Sequence, residues 1–213
     1  MTAPTLFDSA PARPVPAPAG AGPAPLVIAL DIALGTTGVA GTGWTDTIRT
    51  GTRRAEERLN HIVKTAASFY RNADYVAIEG PSYGSALQNG HDEMAAARWM
   101  VRHDLWKRGI PYAIIPPDNR TIYATGKARH KHLETGRKLT SPEVKGLVRT
   151  AVQERYGIPC EGPGRYDQAD AYVILSMLLD HLGHALAEVP PTHSRALAGC
   201  QWPDLGAPCG GDA

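Results

Sequence analysis

No stretch of the sequence comes near the roughly 18 consecutive apolar residues that a membrane-spanning helix requires, which excludes an integral membrane protein of the helical kind. The N-terminus has neither the basic start nor the apolar core of a secretory signal. Cysteine is scarce: Cys160, Cys200 and Cys209 are odd in number and far apart, which argues against a disulfide framework and makes a reducing cytoplasm the expected location. No Cys-x-x-Cys pair accompanies His193, Cys200 and Cys209, so a zinc knuckle is not expected either. An excess of one charge is also missing, with Lys plus Arg at 22 against 21 for Asp plus Glu. A basic surface, if there is one, must therefore come from where the cations sit and not from their number.

What is present divides the chain into three. Residues 1–24 are mostly Ala, Pro and Gly, offer almost nothing to bury, and read as a disordered leader. Residues 186–213, with Pro190, Pro191, Pro203 and a glycine-rich end, read as a flexible tail. Between them, residues 25–185 are long enough for one domain with a sizeable core. There the apolar period switches between two and 3.6, the mark of alternating strands and helices. "LVIALDI", "TGVAGTGW" and "TDTIRTG" predict three strands in a meander, with Gly35 to Gly38 as the tight turn into the second. "RAEERLNHIVKTAASFY" places Leu59, Ile62, Val63 and Ala66 on one helical face. "DYVAIEG" and "PYAIIPP" predict two more strands, with the helix "DEMAAARWMVRHDLWKRG" between them. One further helix opens at Ser141-Pro142-Glu143 and another runs from about Asp167 to His184. The sum is an α/β fold, a mixed five-stranded sheet with helices on both faces.

Carboxylates fall at the ends of these elements. Asp31 closes an apolar strand, where it is either a turn residue or a site residue held at the sheet edge. Glu79 closes another strand in the same way, and if the two strands are parallel neighbours both acids emerge at the carboxyl edge, where open α/β sheets hold their sites. Asp167 and Asp170 are three apart, a spacing that puts both on one helical face. Helix capping accounts for Asp167 well and less well for Asp170, which adjoins the apolar stripe Ala171, Ile174, Leu175 and Leu178. Four converging carboxylates suit Mg²⁺ or Mn²⁺, which take oxygen ligands and often share substrate phosphates. Metal-dependent phosphoryl transfer is the chemistry this implies. A partner for it is suggested by Arg120, Lys127, Arg129, Lys131, Arg137, Lys138, Lys145 and Arg149, a basic stretch with Tyr123 among them that fits a phosphate-tracking surface as well as a solvated loop and helix face.

"IALDIALGTTGVA", "VAIEGPSYG" and "YDQADAYVIL", in that order, resemble the three acidic motifs of the RuvC-type Holliday-junction resolvases, a family of the RNase H-like nuclease superfamily. The resemblance spans about residues 26–180. It implies an RNase H-like fold, Asp31, Glu79, Asp167 and Asp170 as the metal-binding and catalytic acids, and Mg²⁺ or Mn²⁺ as cofactor. It also implies a lysine near the scissile phosphate, for which Lys131 is the first choice, and an aromatic wedge at the junction, for which Tyr83 is the nearest match. Lys127, Arg129, Lys138 and Arg120 complete the expected DNA contacts. The segment "HLETGRKL" departs from the family's shorter loop at this point. The implied activity is endonucleolytic cleavage of branched DNA by paired nicks at a four-way junction, and symmetric cutting calls for a homodimer. The helix face carrying Met94, Ala97, Trp99 and Val101 is its candidate interface. Alternatives are a related nuclease for other branched DNA or RNA ends, and a module that binds junctions without cutting. "DIALGTTGVA" also approaches the phosphate loop of actin-like ATPases, with Thr36 and Thr37 on the phosphate. The extra residue before Gly35 and the absence of room for a second large domain weigh against it, so no nucleotide cofactor and no membrane partner are expected.

Overall fold

The computed structural model describes residues 23–81 and 90–204. The elements are β1 (Val27–Asp31), β2 (Thr36–Gly41), β3 (Trp44–Arg49), α1 (Ala55–Tyr70), β4 (Tyr75–Glu79), α2 (His91–Lys107), β5 (Tyr112–Ile115), α3 (Pro117–Thr125), α4 (Ser141–Tyr156), α5 (Arg165–His181) and α6 (Pro191–Ser194), followed by a 3-10 turn at Arg195–Gly199. The sheet order is β3-β2-β1-β4-β5. β1 pairs antiparallel with β2 and parallel with β4; β2 pairs antiparallel with β3, and β4 parallel with β5.

β1 lies at the centre of this order and is buried on both faces, which is why its sequence is a continuous apolar run and not an alternating one. The two faces differ in size. Ile28, Leu30, Val76 and Ile78 project large side chains toward α1 and α2, where they meet Ile62, Ala66, Tyr70, Ala97, Val101 and Leu105. Ala29, Ala40, Ala77 and Ala113 present small side chains to α3, α4 and α5. Small residues let α5 settle close to the sheet, and α5 is correspondingly buried without a break from Ala169 to Leu179. Each Leu or Ile so enclosed contributes roughly 1.5–3 kcal/mol. Helices therefore cover both faces, as the pattern predicts.

Two regions differ from the sequence reading. The Pro116-Pro117 pair ends β5 but also opens α3, with proline in the first turn and Gly126, at φ 80°, stopping it. Residues 186–204, part of the segment expected to be loose, pack onto the domain: Ala187 and Ala196 are buried, and the Trp202 ring stacks on His181 with centroids 4.1 Å apart, while 205–213 lie outside the described residues. Gln201 exchanges backbone hydrogen bonds of 2.8 and 3.0 Å with Ile114. Asn119 of α3 donates to the Ala196 carbonyl at 2.6 Å. The apolar residues that anchor this segment, Leu186, Val189, Leu197 and Trp202, are spread among prolines with no period, so no pattern announces them. Among the described residues no helix is long and apolar enough to cross a membrane.

Candidate active site

The parallel pairing of β1 with β4 runs to Leu30 opposite Ile78, so Asp31 and Glu79 are the next residues on adjacent strands at the same edge of the sheet. Strand alternation turns both toward the side carrying α5, away from the face of Leu30 and Ile78. The first turns of α5 bring Asp167 and Asp170 to the same place. Gly38 makes this approach feasible: it stands in β2, opposite Asp31, and a methyl group there would overlap the backbone carbonyl of Asp167. The expected turn is thus shorter than predicted, with β2 already under way at Thr36 and Gly38 serving close backbone approach. Thr37, fully buried, closes the turn itself by accepting from the Ala33 N–H at 3.2 Å and donating to its carbonyl at 3.0 Å.

Two cations stand among the four acids. Arg120, from α3, is buried, donates a short hydrogen bond from its Nη1 to Glu79 Oε1, and lies 3.1 Å from Asp170 Oδ2 and 4.0 Å from Asp31 Oδ1. Lys145, from the second turn of α4, places Nζ 3.2 Å from Asp167 Oδ1 and 3.5 Å from Asp170 Oδ2. That one ammonium reaches both confirms that the i, i+3 pair shares a face. Arg120 belongs to the acid cluster and not to the solvent-facing basic surface on which the sequence set it.

The electrostatics follow from burial. Asp31 has its carboxyl pushed well above the ordinary range, first by burial and then by the neighbouring Glu79, with Arg120 pulling the other way. Burial also raises Asp170, to about 6, against the pull of Arg120. Burial disfavours the charge on Arg120, but Glu79, Asp170 and Asp31 more than offset it and its pKa rises. Lys145 behaves alike: burial disfavours its charge, and Asp170, Asp31 and Asp167 restore it. Both cations are therefore fixed charges at neutral pH.

Among the described residues no three His, Cys, Asp or Glu side chains are arranged as a ready metal shell; the Arg120 guanidinium lies between the acids instead. The donor set still suits a hard cation. Four carboxylates, once all are ionised, against two cations leave two negative charges, and Asp170 Oδ1 is buried with no hydrogen-bond partner while its Oδ2 faces the Arg120 and Lys145 cations. A buried oxygen that has lost water and gained no donor is what a divalent ion would satisfy.

The other sequence candidates lie elsewhere. Lys131 and Lys138 face each other across an antiparallel bridge in the loop between α3 and α4, both exposed, as are Lys127 and Arg129. The lysine that lies among the acids is Lys145, another residue of the same basic stretch. The reason is that α4 aims Lys145 inward from its second turn, whereas the longer loop carries Lys131 outward. Tyr83 lies outside the described residues. Of the proposed interface set, Ala97 and Val101 are core, and Trp99 is 65% exposed.

The fold is α/β and RNase H-like, a mixed five-stranded sheet of the RuvC type. It is similar to a structure of Thermus thermophilus RuvC, with a TM-score of 0.55 and 18% identity over 76% of this chain and 99% of that one. It is similar also to T. thermophilus RuvC in complex with Holliday junction substrate, with a TM-score of 0.51 and 19% identity over 77% of this chain and 99% of that one. No protein-family model and no curated protein matches the sequence.

Proposed function

We propose that this protein is a divalent-metal-dependent endonuclease for branched DNA that makes paired nicks in four-way junctions. The observation that carries the reading is the convergence of Asp31, Glu79, Asp167 and Asp170 at one sheet edge with two fixed cations among them. The likeness to RuvC structures, one of them bound to a Holliday junction, supports the substrate class.

In this reading Asp31, Glu79, Asp170 and Asp167 hold Mg²⁺ or Mn²⁺. The bound ion would supply Lewis-acid stabilisation of the phosphodiester and lower the pKa of a water. Lys145, kept protonated by the acids around it, offers a cation at the solvent side of the cluster, where 36% of its side chain is exposed, to meet charge growing on the phosphate. Arg120 orients Glu79 and Asp170 from within. The exposed Lys127, Arg129, Lys131 and Lys138 follow the phosphate backbone, each phosphate neutralised steepening the salt dependence of binding.

The test is incubation of the purified protein and Mg²⁺ with four-way junction, flap, duplex and single-stranded DNA and with RNA. Symmetric nicks confined to the junction are expected. Cleavage of flap DNA or RNA alone would move the protein to a related nuclease, and binding without cleavage would make it a recognition module.

A further inference from the structure

Residues 130–139 form a small hairpin that stands out from the domain between α3 and α4. Its ladder is short but complete: the Leu139 N–H donates to the His130 carbonyl at 2.9 Å, the His132 N–H to the Arg137 carbonyl at 2.8 Å, and Lys131 bridges to Lys138. The Gly136 N–H donates to the His132 carbonyl at 2.9 Å, and Gly136 takes φ 67°, which closes a four-residue tip.

Both feet of the hairpin are braced. On the α3 side, His130 Nε2 lies 2.9 Å from Thr125 Oγ1 and 3.0 Å from the Lys127 carbonyl. On the α4 side, Arg137 makes a two-pronged pair with Glu143, at 2.9 and 2.6 Å. Glu143 in turn accepts from the Thr140 N–H at 2.7 Å in the capping box that starts α4. The hairpin is thus tied to the two helices that deliver Arg120 and Lys145 to the acids.

At the tip sits Leu133, 80% exposed, the most exposed large apolar side chain among the described residues. A solitary surface leucine is ordinary. This one crowns a braced hairpin whose strands carry Lys131, Arg137 and Lys138, with Lys127 and Arg129 just before it in the chain, all exposed, and Glu134 the sole acid of the hairpin. Water repels the tip while an anionic polymer attracts its flanks, and the occupant that satisfies both is a nucleic acid with an accessible base step. Apolar side chains, leucine among them, enter such steps as wedges and unstack them at a cost of a few kcal/mol.

We infer that the hairpin is a DNA-prying finger, with Leu133 inserted between bases at the branch point and the flanking lysines clamped on the adjacent phosphates. The inference rests on the branched-DNA reading above and assigns Leu133 a contact with bases, not with the reacting phosphate. Because the finger is fixed to α3 and α4, seating it would also set where the scissile strand meets Lys145.

The experiment uses the full chain without divalent metal and a four-way junction carrying 2-aminopurine at the branch point. Binding is followed by anisotropy and unstacking by 2-aminopurine fluorescence. Wild type is expected to raise the fluorescence several-fold at saturation; Leu133→Ser should remove most of that rise while keeping the salt slope of binding, and Leu133→Phe should retain it. An equal rise with Leu133→Ser at saturation would overturn the wedge and leave the DNA reading standing. Failure of wild type to bind the junction would overturn both.

Discussion

Asp170 is buried, its Oδ1 without a hydrogen-bond partner and its Oδ2 against Arg120 and Lys145, with Asp31 and Asp167 beside it, and burial raises the group to about 6. A folded-state pKa above the ordinary 3.8 means that the native protein holds a proton that the unfolded chain releases. Stability from this group is therefore greatest below the unfolded value and falls as pH rises through about 6. Metal-free protein should melt at a lower temperature at pH 7.5 than at pH 5.5; Asp170→Asn should reduce that difference, the also raised Asp31 supplying the remainder, and Mg²⁺ should raise the pH 7.5 value more in wild type than in the variant. Differential scanning calorimetry checks all three. The two lysines separate at the same scale. Lys145→Ala should cut the single-turnover rate by at least about 10²-fold, as loss of a charge at a reacting centre does. Lys131→Ala should instead loosen junction binding and reduce the salt slope by about one. A normal rate in the first, or an unchanged slope in the second, would reverse these roles.

Among elements, the approach of α5 to β2 depends on Gly38. Gly38→Ala should push the Asp167 turn away from the sheet and lower metal affinity and melting temperature together, whereas Gly35→Ala, where added volume meets nothing within 4 Å, should leave both near wild type. Isothermal titration with Mn²⁺ would show the contrast. The acids were legible in the sequence because strand ends and a helical i, i+3 spacing are local patterns; Asp31, Glu79, Asp167 and Asp170 come together as those patterns imply. The cations were not, because their placement is tertiary. α3 has nine residues, too short for a clear amphipathic period, and its signs are only Pro117, Asp118 and Gly126. Missing α3 turned Arg120 outward on paper. Lys145 was visible in the basic stretch, but nothing local distinguishes a lysine aimed at carboxylates from one in solvent. Gly38 was read through its turn-forming tendency, while its role depends on a helix more than 120 residues away along the chain.

For the whole molecule, we propose the outer face of α2 as the interface of the homodimer that paired nicking calls for. Trp99 and Trp106 are 65% and 70% exposed, and with Arg102, His103 and Tyr112 they line a recess of about 460 Å³. Aromatic side chains with arginine are what protein interfaces favour. Trp99→Glu combined with Trp106→Glu should leave the fold intact, since neither ring is core, and convert a dimer to a monomer by light scattering. Paired nicking should then give way to single nicks. A wild type that is monomeric with and without junction DNA would overturn paired nicking by a homodimer.

The last strand of the sheet gives the C-terminal segment a further meaning. β5 lies at the end of the order β3-β2-β1-β4-β5, and the outward N–H and C=O of Ile114 are taken by Gln201. An unpaired strand edge is a template for another chain, and proteins keep such edges covered. Gln201 thus covers this edge at Ile114: a chain ending at 185, which loses that cover and the Ala196 core contact, should aggregate on concentration, an effect visible as rising turbidity well below the wild-type melting temperature.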